Sequence, residues 1–385
     1  MKKKVFYWSP CLNPVGTVIS TINSSLSLSK YSHEFDSTII NSCGEWDEFK
    51  SEFLKENIKV IDIGPKYFKF LPKIGFFQSR LSYIIIFLIS FIPLLKILKK
   101  NNPNFIVAHL ITSLPILLFK FFNFETELIL RISGMPKLNF LRKNFWKICS
   151  NRIRYITCPS IELKNKIMNL KIFETNKIFH LPDAVINISK FKKQLKTENR
   201  FKDIFSKDNF VFLAVGRLTN QKNFSYLINE FSKFHNKKKN CHLVILGDGE
   251  DMKKLKDLIQ KKNLPNVIHM LGKVENVFRY MKDSKALILS SKWEEMGFVI
   301  IEAAFSNLYV ISSNCPNGPS EFLNYGKDGI LYENNQKDAL YNSLNNFIQI
   351  EEKINFKNKI NIKKNSKNFT MFRHFKVLDK ILRSK

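Results

Sequence analysis

Short β-branched or apolar runs, separated by longer stretches of helical spacing, recur through the whole chain, and this alternation constrains the fold more than any other feature. In the first half the runs fall at 3–8, 37–42, 58–64, 104–110, 128–133, 155–160 and 177–183. In the second they fall at 210–216, 241–248, 267–272, 285–291 and 309–314. Strands alternating with helices in this order imply parallel pairing, and a parallel sheet needs helices over both faces. The expectation is an α/β chain with enough strands for two doubly wound parallel sheets.

A chain of 385 residues has room for two domains. The strongly charged stretch "SKFKKQLKTENRFKDIFSKD" has no strand pattern, so the domains are expected at 1–188 and 209–368, joined by a linker at 189–208. The final segment, 369–385, spaces Phe372, Phe375, Leu378 and Leu382 as a helix that needs a surface to bury against.

Lys and Arg number 62 against 33 Asp and Glu, a formal net charge of +29, which favours phosphate-bearing or anionic partners. Runs such as "HNKKKN" and "KNKINIKKNSKN" read as solvated surface. Six cysteines are scattered with no C-x-x-C pair and no zinc spacing, as in a reduced compartment, and the basic N-terminus is followed by an apolar run too short for a signal peptide. Within "RLSYIIIFLISFIPLLKILKK" fifteen uncharged residues separate Arg80 from Lys96, and Pro93 interrupts them. That is short of a bilayer span, so a buried or interfacial helix is expected. The stretches 65–80 and 138–147 interleave Lys or Arg with aromatic residues. They suit either docking at an anionic headgroup layer or an ordinary core with lysines reaching outward.

In doubly wound sheets, ligands bind beyond the carboxyl ends of the strands. There, Gly216 is followed by Arg217 and Lys222 on a loop before a helix that begins near Asn223. Two cations at a helix N-terminus are either solvated or gathered around a phosphate. Gly247 and Asp248 close the next strand, and Gly16 precedes the first helix, each also compatible with an ordinary turn. In "SKWEEMGFVIIEAAFSN", the spacing of Phe298, Ile301, Glu302 and Phe305 predicts a helix whose buried stripe includes a carboxylate. A buried carboxylate needs polar partners, either a salt bridge or ligand hydroxyls such as those of a ribose. Glu294 lies on the preceding loop, either solvated or facing the same ligand.

Together, "EEMGFVIIE", "GRLTNQKN", "LGDGE" and "SSNCPNGPSEFL" resemble the retaining glycosyltransferases of the GT-B fold, family 4. The resemblance is strong over the second half and thinner over the first, through Gly16, His109 and "ITCPS". It implies two Rossmann-like domains facing a cleft, an N-terminal one for the acceptor and a C-terminal one for a nucleotide sugar, with the last helix crossing back. It further implies that Arg217 and Lys222 bind the donor diphosphate and Glu302 the ribose. Glu294 and the Gly297, Phe298 and Val299 backbone would hold the transferred sugar, Val274 the base, and His109 the sugar from the other domain. Two departures stand out: Gly16 lacks the paired glycine common in the family, and Glu295 competes with Glu294, although only Glu294 keeps the seven-residue spacing to Glu302.

The implied reaction is metal-independent, cofactor-free transfer of a hexose from a nucleotide diphosphate sugar, with retention, to a glycan or lipid-linked acceptor. Surface polysaccharide synthesis at the cytoplasmic membrane face would be the setting. Nucleic acid is not an expected partner, because no matching signature accompanies the charge. The alternatives are a nucleotide-sugar epimerase of the same fold and a nonenzymatic nucleic-acid-binding protein.

Overall fold

The computed structural model describes residues 2–384 apart from 13–15, 66–75, 137, 200, 207–208, 316–317, 335 and 351–355. The chain divides into two compact units, Met1–Val185 with Thr370–Lys385, and Ile186–Phe369.

In the first unit β1 (Lys3–Trp8), β2 (Phe35–Asn41), β3 (Lys59–Asp62), β4 (Phe105–Ala108), β5 (Glu127–Arg131), β6 (Tyr155–Cys158) and β7 (Ile178–His180) form a sheet. Its order is β3-β2-β1-β4-β5-β6-β7, and every described pairing is parallel. Strand alternation divides the core. Val5 and Tyr7 face α1 (Gly16–Tyr31), α2 (Lys50–Lys55) and the C-terminal helix α15 (Met371–Arg383). Phe6 and Trp8 face a second layer made by α3 (Phe76–Asn101), α4 (Ser113–Phe121), α5 (Phe140–Cys149) and α6 (Ile161–Asn169).

Two sequence expectations change here. Pro93 does not interrupt α3, which runs through it; the hydrogen bond it removes lies on the half-exposed side of the helix. The buried face of α15 comprises Met371, His374, Leu378, Ile381 and Leu382, while Phe372 is exposed. The face is rotated because His374 is drawn inward: one ring nitrogen meets Ser24 Oγ at 2.8 Å and the other the Pro182 carbonyl at 2.6 Å.

In the second unit α7 (Ile188–Leu195) opens the segment expected as a linker. Its Phe191 packs edge-on against Phe278 and Phe305, with ring centroids at 5.0 and 4.8 Å. The strands are β8 (Phe210–Val215), β9 (Cys241–Leu246), β10 (Ile268–Gly272), β11 (Ala286–Leu289), β12 (Tyr309–Ser313) and β13 (Ile330–Tyr332). Their order is β10-β9-β8-β11-β12-β13, again parallel. The helices are α8 (Phe224–Lys237), α9 (Met252–Lys261), α10 (Val277–Asp283), α11 (Phe298–Phe305), α12 (Pro319–Phe322), α13 (Ala339–Ile350) and α14 (Phe356–Ser366). Each sheet reverses its order beside the first strand of its unit, between β1 and β4 and between β8 and β11. Such a switch point opens a crevice beyond the strand ends.

Candidate active site

In the second unit the loops beyond β8, β9, β10 and β11 are hydrogen-bonded into one surface. The Gly216 N–H donates to the Leu246 carbonyl at 3.0 Å, Leu218 N–H to Asp248 O at 2.9 Å, and Gly247 N–H to Gly272 O at 2.8 Å. Gly247 sits at φ +141°, and a Cβ there would lie 1.9 Å from the Gly216 carbonyl oxygen. Only glycine allows this approach, so the β8 and β9 loops stay in backbone contact. Asp248 is exposed and accepts from the Gly249 N–H at 2.7 Å, and Val274 is half-buried just after β10.

The loop after β8 is fastened to the loop after β11. The Lys222 ammonium forms an ion pair with Glu294 Oε1, and Ser291 Oγ donates to the same oxygen at 2.5 Å. Ser290 Oγ donates to Lys222 O at 2.8 Å, and Gln221 Nε2 to Trp293 O at 2.9 Å. Glu294 is buried, whereas Glu295 is exposed, so of the two only the residue at the seven-residue spacing turns into the fold. Its buried place excludes a solvated loop charge. The crowding of positive charge expected at the start of α8 is relieved at Lys222 by this carboxylate, within the chain itself. Arg217 differs: its side chain is exposed and has no hydrogen-bond or ion-pair partner among the described residues.

Gly297, in the left-handed conformation at φ 63°, turns the chain into α11. The first backbone N–H groups of α11, at Phe298 and Val299, have no carbonyl four residues back within the helix to receive them, and such a terminus is able to bind an anion. Glu302 does not share a deeply buried stripe. Val299, Ile300, Ile301, Ala303 and Ala304 are buried, while Phe298, Glu302 and Phe305 are half-buried. The helix is covered on nearly every side by the sheet, α10 and α14, so its least-covered strip is the one that carries the carboxylate. Desolvation raises the Glu302 pKa to about 7 against a weaker opposing effect of Lys190, and no hydrogen bond to the carboxylate occurs among the described residues. Its polar needs are therefore unmet among the described residues.

In the first unit, Gly16 is the exposed first residue of α1, and residues 13–15 just before it lie outside the described residues. His109 follows β4 and is buried. Its Nδ1 lies 3.1 Å from Ser9 Oγ and its Nε2 2.8 Å from Ser133 Oγ, so both ring nitrogens are engaged. Burial, aided by Arg131, holds its pKa well below the ordinary histidine value, and the ring is neutral.

Sequence reasoning missed Ser291, whose only signal is its place three residues before Glu294 at a strand end. It also missed the brace beneath it. Ser313 Oγ and Asn334 Nδ2 both donate to the Ser291 carbonyl, at 2.7 and 2.8 Å. The buried Arg131–Asp183 ion pair, joined by Ser20, was equally invisible, since its members are far apart in sequence. Residues 316–317 of the 312–323 motif lie outside the described residues.

Two parallel-sheet α/β units with these strand orders constitute a GT-B fold of two Rossmann-like domains. Residues 196–369 match the family model described as Glycosyl transferases group 1. The chain is 34% identical over 290 residues to an uncharacterised glycosyltransferase of Methanocaldococcus jannaschii, a match covering 67% of this chain and 70% of that one. It is 29% identical over 273 residues to the UDP-Gal:alpha-D-GlcNAc-diphosphoundecaprenol alpha-1,3-galactosyltransferase of Escherichia coli, covering 66% and 69%. The crystal structure of a glycosyltransferase from Rickettsia africae superposes with a TM-score of 0.77 over 100% of both chains at 19% identity. The chain belongs to the group 1 glycosyl transferases.

Proposed function

We propose that this glycosyltransferase moves a hexose from a nucleotide diphosphate sugar to a glycan or lipid-linked acceptor with retention at the anomeric carbon, as in family 4. The observation that carries the reading is the pair of carboxylates at seven-residue spacing. Glu294 is buried and fixed by Lys222 and Ser291, while Glu302 stands half-buried without a hydrogen bond among the described residues. A fixed carboxylate can orient sugar hydroxyls, and an unsatisfied one can accept from ribose hydroxyls.

Arg217 presents a guanidinium with no described partner, suited to bidentate contact with a diphosphate. Lys222 keeps further N–H donors beyond the one given to Glu294 and stands beside the same loop. As the bond from the sugar to the diphosphate breaks, both cations stabilise charge on the leaving oxygens, the work a metal ion performs elsewhere. Glu294 positions the sugar, and the attacking hydroxyl enters on the face the diphosphate leaves, passing its proton to the departing phosphate oxygen as the new glycosidic bond replaces the old, which gives retention. The similarity to an enzyme named for a diphosphoundecaprenol-linked acceptor supports a lipid-linked acceptor and peripheral work at a membrane.

A thermal-shift screen of UDP-, GDP-, ADP- and CMP-sugars tests the donor class, because a bound donor stabilises the fold by mass action. Stabilisation by one nucleoside diphosphate sugar, with product formed only when an acceptor is added, is the expected result. Stabilisation by none overturns the reading.

A further inference from the structure

The outer surface of the first unit's second helical layer is built the wrong way round for water. Helix α3 buries Ile86, Leu94 and Leu98, yet its opposite stripe leaves Leu81 58%, Ile84 55%, Leu88 65% and Ile92 59% exposed. These residues recur at helical spacing, so they form one continuous ridge about 16 Å long. In α5, Phe140 and Leu141 are 78% and 75% exposed, and Ile148 is exposed too, as is Phe121 at the end of α4. The three helices lie in one layer, their inner residues sharing a single core, and the Lys120 ammonium of α4 donates to the Ile148 carbonyl of α5 at 3.4 Å. Their outward sides therefore look the same way. An exposed apolar surface of this extent marks a docking site.

Charge identifies what it docks on. Helices α3, α4 and α5 contain no Asp or Glu. The exposed apolar ridge of α3 ends in Lys96, Lys99 and Lys100, and Arg142, Lys143 and Lys147 stand exposed among the apolar residues of α5. Apolar side chains flanked by cations alone suit acyl chains beneath anionic headgroups.

We propose that the α3–α4–α5 layer of the first unit lies in the plane of an anionic lipid bilayer, with the Leu81–Ile92 ridge in the headgroup–acyl boundary and the lysines on lipid phosphates. The inference deepens the glycosyltransferase reading, on which it rests for a lipid-linked acceptor. Helix α3 is long and apolar enough to cross a membrane by length and composition, but spanning would strip Leu94 and Leu98, fully buried in the core, from their partners. The helix lies along the surface instead. Its N-terminal half packs Ile86, with Tyr83, on Leu12 and Cys43 in the loops beyond β1 and β2. Docking thus holds those strand ends close to headgroup depth.

Flotation of the full chain with phosphatidylcholine vesicles, with and without phosphatidylglycerol, tests this. Wild type floats with the anionic vesicles at low salt and is released by high salt. The Ile84→Ser/Leu88→Ser/Ile92→Ser variant loses about 100-fold in partitioning. The Lys96→Gln/Lys99→Gln/Lys100→Gln variant loses about tenfold or more on anionic vesicles only. These positions are exposed, so melting temperature and nucleotide-diphosphate binding stay at wild-type values. Wild type that binds nucleotide diphosphate but stays with the soluble fraction overturns the proposal, as does an apolar-ridge variant that floats like wild type. A dimer abolished by the ridge variant, with no flotation, assigns the face to a second copy and overturns it as well. Flotation without nucleotide binding sustains the docking face and removes the glycosyltransferase reading instead.

Discussion

Lys222 and Glu294, 72 positions apart, close an ion pair that joins the loop after β8 to the loop after β11, and Ser291 shares the carboxylate oxygen. Both side chains are largely buried, so each holds the other's charge in place. Lys222→Ala strands a buried carboxylate and should cost about 3 kcal/mol in chemical denaturation. Lys222→Met with Glu294→Gln should recover most of that stability. Neither variant should regain transfer, which falls by about two to three orders of magnitude. Recovery of transfer by the double variant would show that the pair is only structural.

Glu302 titrates near 7 in the fold and near 4.5 when its carboxyl is fully hydrated. The folded state therefore holds a proton that the unfolded chain releases, and the stability linked to it is full below about pH 4.5 and declines as pH rises through 7. The difference between wild type and Glu302→Gln should change by about 2–3 kcal/mol across that window. Ribose hydroxyls prefer the ionised carboxylate, so donor affinity should rise with pH through 7 in wild type and stay flat in the variant. Calorimetric titration at pH 6 and pH 8 measures this.

Gly247→Ala brings a Cβ to within 1.9 Å of the Gly216 carbonyl oxygen at φ +141°. The loops must separate, at a cost of about 2 kcal/mol or more, with nucleotide binding weakened. Gly272→Ala is the control: it sits at φ +73° with nothing within 4 Å of the added Cβ, so only the local backbone penalty of about 1 kcal/mol is expected. Melting curves with and without nucleotide separate the two.

His374 fastens α15 to the first unit through Ser24 and Pro182, and burial lowers its pKa from 6.5 to about 4. The native ring is neutral while the unfolded one takes up a proton below pH 6.5, so the associated stability is lost as pH falls from 6.5 towards 4. The advantage of wild type over His374→Gln should shrink by about 3 kcal/mol over that range. Denaturation at stepped pH tests it.

The fold was readable because its parallel strands are buried on both faces and show as apolar runs such as "FVFLAV" and "CHLVIL". β13 was missed because its apolar run, Ile330–Tyr332, is closed off at once by Gly329 and Glu333. Within the site, Glu294 and Glu302 were legible as a spacing along the chain. Their difference in environment was not, because it depends on Lys222, Ser291 and the packing of α10 and α14 around α11. The stripe assigned to α11 failed for the same reason: a helix covered on nearly all sides has no polar face for periodicity to locate. His109 was legible as a strand-end histidine, while the two serines engaging its ring come from the ends of other strands.

We hold that one loop surface of the second unit grips a nucleotide diphosphate, with Arg217 on the phosphates. Calorimetric titration of wild type and Arg217→Ala with the nucleoside diphosphate and monophosphate of the preferred base tests it most directly. Arg217 is exposed and without a described side-chain partner, so the variant should melt like wild type. Diphosphate affinity should fall at least about tenfold, with monophosphate affinity little changed. Equal diphosphate affinity in both proteins would contradict it.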